Sequence, residues 1–361
     1  ILFAIFSFSG ILGSFLGGAM TDRFGRKAMI IYGLLISAGS SIFMAYVTEI
    51  EVFYVVGAFV GLFSNAGGPA QQAMIADLLP KEKLTEGYGI WRVIANLAVT
   101  LGPAIGGFVI GLAGSYLPLF YIDAVTSLIT AIIVYRVIPE TRPEPSEGQA
   151  EESIGQTLGG YGRIFKDRAY MAFIIISIVV IIVYIQMNST MSVYLRDVQR
   201  IPAEGFGAIL SLNAGMVVLF QFWITRKLTG RAPLRMMALG AFLYAIGFGL
   251  YGFNAGFAFY AFAMVIITVG EMVIVPVSQA VAARFAPADM RGRYLAMFGF
   301  SYAIPTAIGP LLAGLVMDNY NPRLIWYGSF VIAGLGAIAY LWLQTRVGVQ
   351  LGKMDPSGDA V

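Results

Sequence analysis

The sequence predicts an all-α membrane protein built from two similar six-helix bundles, with eleven of the twelve helices inside this chain. Three observations carry the prediction: long uncharged apolar runs, basic residues concentrated on one side of the predicted helices, and an internal repeat. Of the 361 residues, 58% are hydrophobic and 12% are charged. Soluble domains contain about 25% charged residues, so a large soluble core does not explain this composition.

The uncharged runs are long enough for membrane-spanning helices, which need about 20 largely apolar residues. Membrane β-strands would be shorter and would alternate in polarity. Seven runs carry no charge: 28–48, 52–76, 169–195, 205–225, 236–270, 294–317 and 324–345. The pattern predicts eleven spanning helices, at 1–20, 28–47, 51–77, 85–113, 116–138, 169–195, 205–226, 234–253, 256–284, 291–317 and 323–345.

The basic residues indicate how these helices are oriented. Nineteen of the 23 Lys and Arg residues fall in loops or the tail on one side of the predicted bundle. Only Arg196, Arg200 and Arg323 fall on the other side, and Arg92 lies within a helix. Cytoplasmic loops are enriched in basic residues, so we expect the C-terminus to be cytoplasmic and Ile1 to be outside.

An internal repeat relates the two halves of the chain. A shift of 207 residues aligns Pro69 with Pro276, Gln72 with Gln279, Gly102 with Gly309 and Gly107 with Gly314. The helix at 169–195 finds no partner within the chain, so we expect one further helix before residue 1. Two halves of six helices enter the membrane from the same side, and such repeats are related by an axis along the membrane normal.

The repeat sets the predicted domain boundaries. Residues 1–138 form the N-terminal bundle, 169–346 the C-terminal bundle and 347–361 a cytoplasmic tail. Residues 139–168, rich in Glu, Pro, Gly and Ser, are predicted to be a flexible cytoplasmic linker without chemistry of its own.

Composition also argues against several classes of chemistry. The chain contains no cysteine and no histidine, so disulfides and the usual zinc ligands are excluded and no metal site or cofactor is expected. We find no nucleophile–base pair and no phosphate-binding loop, which argues against an enzyme. Proton chemistry near neutral pH would have to use a carboxylate, because histidine is missing.

The segment Gly18–Lys27 reads GxxxDRxGRK and lies in the first predicted cytoplasmic loop. Gly25 permits a tight turn, Asp22 can sit near the positive N-terminus of a neighbouring helix, and Arg26 can pair with Asp77. This pattern resembles the signature loop of the major facilitator superfamily. The resemblance implies a latch that holds the outward-open state, formed by Gly18, Asp22, Arg23, Gly25, Arg26 and Asp77. A simple basic anchor is the alternative, and the second-half loop 226–235 keeps the charge but has no Asp.

A second motif, Gly102-Pro103-Ala-Ile-Gly106-Gly107, lies in the predicted helix 85–113. Proline removes a backbone hydrogen bond and bends a helix, and paired glycines allow close helix packing. The motif is similar to the GPxxGG signature of the antiporter branch of the superfamily, which implies a bent helix that takes part in rocking. Gly309, Pro310 and Gly314 repeat it. Ordinary small-residue packing is the alternative, and the arginine that many members carry in the fourth helix is absent.

Three ionisable residues are predicted within helices, where a charge costs about 2.5–3.5 kcal/mol. The flank of Glu271, Gly270–Pro276, resembles drug exporters in which a tenth-helix acid handles protons or cations, so Glu271 is the first candidate for proton coupling. Asp123 is the second, and a hydrated anchor near the outer interface is the alternative for it. A neutral, hydrogen-bonded carboxyl is the alternative for Glu271.

The third ionisable residue, Arg92, shares a helix face with Tyr88 and Asn96. It can pair with a membrane acid, hold an anionic substrate group, or reach toward the cytoplasm. Tyr184, Asn188 and Ser192 recur at i, i+4 and i+8, and Asn213 is the comparable polar residue in the next helix. We predict that these side chains line a substrate cavity together with Glu271, although polar residues in membranes more often join helices.

The resemblance implies a bacterial drug–proton antiporter that works by alternating access in the inner membrane. Its expected partners are an amphiphilic small molecule, protons and membrane lipids, without nucleic acid, and the protein is expected to act as a monomer driven by the proton gradient. A proton symporter for small polar solutes, a lipid or glycolipid flippase, and a membrane sensor that no longer transports remain open alternatives.

Overall fold

The computed structural model describes residues 2–143, 154–253 and 255–352, which are mostly helical, without strands in these ranges. The helices of the first part are α1 (Leu2–Phe24), α2 (Arg26–Met44), α3 (Ile50–Ser64), α4 (Gly68–Leu78), α5 (Leu84–Ala113) and α6 (Leu117–Val137). Two short helices follow, α7 (Ile154–Gly159) and α8 (Tyr161–Lys166). The remainder comprises α9 (Arg168–Ile185), α10 (Thr190–Asp197), α11 (Ala203–Leu228), α12 (Pro233–Leu250), α13 (Phe257–Phe285), α14 (Arg291–Asn319) and α15 (Leu324–Gly352).

The observed helix bounds follow the repeat of 207 residues. Shifting the segment that runs from the start of α3 to the end of α4, Ile50–Leu78, gives 257–285, which are the bounds of α13. The start of α5 falls on the start of α14, and the start of α6 falls on the start of α15. One difference is a 3-10 turn, Asn65–Gly67, which separates α3 from α4 where α13 is continuous.

Nine spans within the described residues are long and apolar enough to cross a membrane. All nine coincide with predicted spans. The other two predicted spans correspond to α1 and α5, which form helices of 23 and 30 residues. The all-helical membrane fold is therefore confirmed.

The prediction of one continuous helix over 169–195 was wrong, because a turn over 186–189 separates α9 from α10. Polar side chains at the turn compete with the helical backbone. Ser189 Oγ donates to the carbonyl of Ile185, and Thr190 Oγ1 donates to Gln186 Oε1. The N–H of Met191 reaches back five residues to the carbonyl of Gln186, so the regular pattern of bonds four residues apart is lost.

The ends of the predicted domains also differ from a plain linker and tail. Within the predicted linker, residues 154–166 are mostly helical, as α7 and α8, whereas residues 144–153 lie outside the described residues. Helix α15 continues to Gly352, so the first residues of the predicted tail are helical. Residues 353–361 lie outside the described part of the chain.

The first of two compact units contains Ile1–Pro80, Val99–Asp167 and Phe285–Gly299. Met29, Ile30, Ala66, Ala70 and Met74 form a buried apolar cluster within it. The unit therefore joins α1–α4, the later part of α5, α6–α8 and the first residues of α14.

The second unit contains Lys81–Ala98, Arg168–Arg284 and Phe300–Val361. Its core includes the fully buried Trp326, whose ring contacts Tyr194, Phe248 and Tyr251. Because the first part of α5 belongs to this unit, Arg92 and α13 lie in the same compact body.

Candidate functional site

Glu271 lies near the middle of α13, and only 2% of its side chain is exposed. The helix is buried along most of its apolar length, from Gly270 through Ser278 without interruption. A carboxylate in such surroundings loses its hydration and needs donors from the protein.

Three side chains supply donors to the Glu271 carboxylate. Arg92 Nη2 forms an ion pair with Oε1. The hydroxyl of Tyr184 donates to the same oxygen at 2.6 Å. Asn213 Nδ2 donates to Oε2 at 2.6 Å and also lies 2.9 Å from Thr268 Oγ1. All of these contacts come from side chains of the second unit, so each can be released by a change of side-chain conformation.

The Arg92–Glu271 pair is neutral as a whole but has little contact with solvent. The Arg92 side chain is 12% exposed, six times the fraction for Glu271. Removing one partner of a buried pair leaves an uncompensated charge that costs about 3–5 kcal/mol. Any event that neutralises Glu271, or replaces its cationic partner, therefore forces Arg92 to find new surroundings.

Pro276, which lies within α13, interrupts the helical pattern of backbone hydrogen bonds close to Glu271. Proline has no N–H, so the carbonyl four residues earlier, at Met272, lacks its helical partner. Gln221 Nε2 of α11 donates to this carbonyl at 2.9 Å. A side chain from another helix thus replaces the missing backbone bond one residue from Glu271.

The other predicted cavity residues lie on α5 and in the segment after α9. Asn96 Nδ2 donates to the carbonyl of Arg92 on its own helix, and Tyr88 is fully buried. Asn188 lies exposed in the turn after α9, and Ser192 Oγ donates to the carbonyl of Ser189. The common face predicted for Tyr184, Asn188 and Ser192 does not exist, because the helix is interrupted between them.

Asp123, the second candidate for proton coupling, lies in the first unit on α6. Its Oδ2 accepts a hydrogen bond from Ser37 at 3.4 Å and another from Ser41. Asp123 is exposed on the protein surface rather than buried. Among the described residues it has no part in the Glu271 cluster.

The predicted close approach at the glycines of α5 was wrong. A Cβ added at Gly102 or Gly107 would meet nothing within 4 Å, and one at Gly106 would meet only Leu119 at 4.0 Å. Pro103 lies within the continuous helix α5. In the second copy a Cβ at Gly309 would lie 3.2 Å from Gln186 Nε2, whereas Gly314 has open space and Pro310 lies inside α14.

A second charged cluster lies in the first unit, around the GxxxDRxGRK segment. Asp22 accepts hydrogen bonds from the backbone N–H groups of Gly292 and Arg293 at 2.7 and 3.0 Å, in the first turn of α14. Arg293 Nε donates to the same carboxylate at 2.9 Å. The motif suggested a site near a positive helix N-terminus, and this is where the Asp22 side chain lies.

Arg26 and Asp77, which the motif suggested as a pair, lie 2.9 Å apart between Nε and Oδ2. Asp77 also pairs with Arg291, and Arg26 Nη2 donates to the carbonyl of Ala288 at 2.8 Å. Gly18 permits the close packing of α1 on α14, because a Cβ there would lie 2.5 Å from that of Ala296.

Gly25 has a backbone φ of 97°, and a Cβ there would collide with the Glu140 carboxylate. Glu140 accepts the N–H groups of Arg26 and Lys27 at 2.9 and 3.1 Å, so it caps the start of α2. Arg23 stands over the ring of Phe24, with 5.5 Å between the guanidinium carbon and the ring centroid.

Sequence reasoning missed several members of both clusters. Tyr244 and Tyr302 lie close enough to Glu271 to interact with it electrostatically, yet a tyrosine in an apolar helix gives no signal of its own. Thr268 could have been suspected, since it lies three residues before Glu271 on α13. Arg291 and Arg293 lie where the signature segment needs partners, but in the sequence they counted only toward the nineteen basic residues on one side.

Together, the apolar spans and the ion pair in the middle of α13 define a class: a polytopic helical membrane protein with a charged site inside the membrane. The chain belongs to the major facilitator superfamily, because the profile of the Major Facilitator Superfamily matches residues 1–304 and 227–355. Members of this family are transporters.

Relatives in the family match nearly the whole chain at low identity. A Na(+), Li(+), K(+)/H(+) antiporter of Planococcus maritimus is 27% identical over 368 residues, covering 92% of this chain and 84% of that protein. Multidrug resistance protein 2 of Bacillus subtilis is 23% identical over 350 residues, covering 96% and 86%. The crystal structure of a bacterial homologue of the iron transporter ferroportin, outward-facing, matches with a TM-score of 0.75, 16% identity, and coverage of 96% and 90%.

Proposed function

We propose that the protein is a proton-coupled antiporter that exports cationic amphiphiles by alternating access, with Glu271 as the shared site for proton and cation. The observation that carries this proposal is the buried Glu271 carboxylate, which the side chains of Arg92, Tyr184 and Asn213 hold. The carboxylate has one cationic partner at a time, and a proton, Arg92 or a substrate cation can each fill that role.

Exclusive occupancy produces exchange. When a proton neutralises Glu271, Arg92 loses its partner, and the cost of a buried unpaired charge drives it toward a more hydrated position. When the proton leaves, the carboxylate again needs a cation. A substrate that brings its own positive charge competes with both, so proton uptake and cation release are linked through one oxygen pair.

The relatives support exchange of cations for protons as the general class. One named relative is an antiporter of monovalent cations and protons, and another is a multidrug resistance protein. The first of these descriptions, exchange of cations for protons, agrees with a single acidic site that alternates between partners.

The test is transport by the full-length protein in liposomes with an imposed pH gradient. The probe is the labelled lipophilic cation tetraphenylphosphonium, and the variants are Glu271→Gln and, as a matched control, Glu51→Gln, which changes an exposed glutamate at the start of α3. We expect gradient-driven movement in the wild type and the control and none in Glu271→Gln. Movement that persists in Glu271→Gln overturns Glu271 as the coupling residue.

A second candidate is exchange of monovalent metal cations for protons. The hydroxyl of Tyr184 contacts the Glu271 carboxylate, and the hydroxyl of Thr268 lies one contact further away, on Asn213. Hard cations prefer oxygen ligands such as these. In the same liposomes Na⁺, K⁺ or Li⁺ would then dissipate the pH gradient, and the lipophilic cation would not. The two probes therefore separate the candidates.

A further inference from the structure

A cavity lined by hydroxyl groups lies next to Glu271, inside the second unit. Helices α9, α12, α13, α14 and α15 each contribute to its wall. The polar lining consists of Ser177, Tyr184, Tyr244, Ser278, Tyr302 and Tyr340. Six hydroxyls that converge in an apolar helix bundle do not serve packing, because each buried hydroxyl destabilises the protein unless it finds a hydrogen-bond partner.

The size of the cavity decides what can occupy it. The cavity volume is about 10 Å³. A single buried water needs about that much room. An organic substrate needs a pocket of roughly 300–1,000 Å³, so the cavity fits a water and not a drug-sized molecule.

The hydrogen bonds that line the cavity are only partly complete. Ser177 Oγ and the Tyr340 hydroxyl lie 2.9 Å apart at one end, and Tyr302 is hydrogen bonded to Ser278. The buried hydroxyl of Tyr244 has no hydrogen-bond partner among the residues that the structure describes, and its ring stacks on that of Tyr184 at 5.8 Å. Buried polar groups are rarely left unpaired, so a water among these hydroxyls would complete the set.

The cavity extends away from Glu271 in one direction. Ser278 lies seven residues beyond Glu271 on α13, toward Arg284, and Ser177 lies seven residues from Tyr184 on α9, toward Arg168. Seven helical residues span about 10 Å. Both serines are thus displaced from the carboxylate toward the helix ends that carry basic residues, and Tyr340 lies on α15 only six residues before Arg346.

We propose that this hydroxyl-lined cavity holds a water and relays protons between Glu271 and the basic ends of the helices, by a route separate from that of the substrate. Tyr184 passes its hydroxyl proton to the carboxylate as it accepts one from the enclosed water. That water is resupplied through Tyr302, Ser278, Tyr340 and Ser177. Each hydroxyl gives one proton and receives one, so the relay leaves no net change in its members.

The inference rests on the proposed function and is tested at the end of the cavity far from Glu271. Tyr340→Phe and Ser177→Ala each remove one hydroxyl there, and neither side chain is a partner of the carboxylate. Tyr251→Phe is the matched control, because it removes another buried hydroxyl of the same unit, which donates to the carbonyl of Tyr260 outside the cavity.

Two rates are measured in liposomes, with whichever cation the wild type moves. Transport driven by the pH gradient needs net proton transfer, whereas exchange of labelled for unlabelled cation at equal pH does not. We expect Tyr340→Phe and Ser177→Ala to slow the first rate about tenfold or more, as for loss of a proton-transfer group, and to leave the second unchanged. Tyr251→Phe should leave both rates unchanged.

Two outcomes for the cavity variants would contradict the relay. Equal slowing of both rates would indicate a structural role for the hydroxyls, and no effect on either rate would remove them from the proton path. If Glu271→Gln retains coupled transport, or the wild type moves none of the probes by the pH gradient, the proposed function fails first. If Glu271→Gln loses coupled transport while both cavity variants keep it, the relay is wrong and the proposed function still stands.

Discussion

The two buried arginine–carboxylate clusters of this protein are built differently. In the first unit, Asp22 is held by two backbone N–H groups as well as by Arg293. In the second unit, the donors to Glu271 found among the described residues are side chains. Backbone donors at the start of a helix cannot turn away while the helix persists, whereas side chains can. The first design suits a contact that opens as a block, and the second suits a site that changes partners.

The largest expected effect comes from removing one partner of a buried pair. Glu271→Leu leaves Arg92 buried without a partner, and arginine cannot lose its proton, so we expect a loss of about 3–5 kcal/mol. The double variant Glu271→Leu, Arg92→Leu should regain most of that stability, because apolar replacements of a buried pair are often neutral. Transport should be absent in both, and thermal unfolding in detergent measures the difference.

The comparable double variant in the first unit should not recover. Asp22→Leu with Arg293→Leu leaves the N–H groups of residues 292 and 293 without their acceptor. It also removes the donor to the carbonyls of Thr157 and Asp289. Equal recovery in the two double variants would show that the distinction between backbone and side-chain donors does not matter.

A smaller effect is expected at Gly25. The backbone conformation there is one that glycine alone adopts readily, and a side chain would meet Glu140. We expect Gly25→Ala to cost about 1–3 kcal/mol. The matched control is Gly39→Ala in α2, which has open space around it and should gain about 0.5–1 kcal/mol. Unfolding temperatures that fall equally in both variants would contradict this account.

The smallest effect concerns pH. Partial desolvation raises the pKa of Glu140, but backbone N–H donors at Arg142, Arg26, Thr141 and Lys27 outweigh it, so its pKa lies below the ordinary value of 4.5. A carboxyl with a depressed pKa stabilises the fold above its unfolded pKa, and that contribution is lost as the pH falls through the folded pKa. Unfolding temperature should therefore drop more steeply in acid for the wild type than for Glu140→Gln. If the unfolding temperatures of the two proteins fall identically as the pH is lowered, Glu140 does not cap α2 in this way.

The sequence predicted the helices well because apolar length and the repeat are properties of single segments. The turn after Ile185 escaped prediction, since the hydropathy of the segment stays high across it and only the side-chain bonds of Gln186, Ser189 and Thr190 break the helix. The sequence also suggested the Arg26–Asp77 contact, because Arg26 belongs to the signature segment and Asp77 lies at the predicted cytoplasmic end of its own helix.

The pairing of Arg92 with Glu271 could not be chosen from the sequence. The two residues are 179 positions apart, and spacing within each helix indicates a face but not the helix that the face contacts. The hydroxyl cavity was invisible for the same reason, since its six polar residues come from five helices. The sequence did show three ionisable residues within predicted membrane-spanning helices, where lipid cannot replace their hydration.

Helix α13 carries two groups that lipid cannot satisfy, the Glu271 carboxylate and the Met272 carbonyl that Pro276 leaves open. Both find donors on α11, from Asn213 and Gln221, which lie eight residues apart on one face. During biosynthesis α11 emerges before α13, so its amides are already in place when α13 enters the membrane. Each unsatisfied polar group in hydrocarbon costs several kcal/mol, so α13 becomes stable in the bilayer only as it docks on α11, and the order of helices along the chain is also an order of assembly.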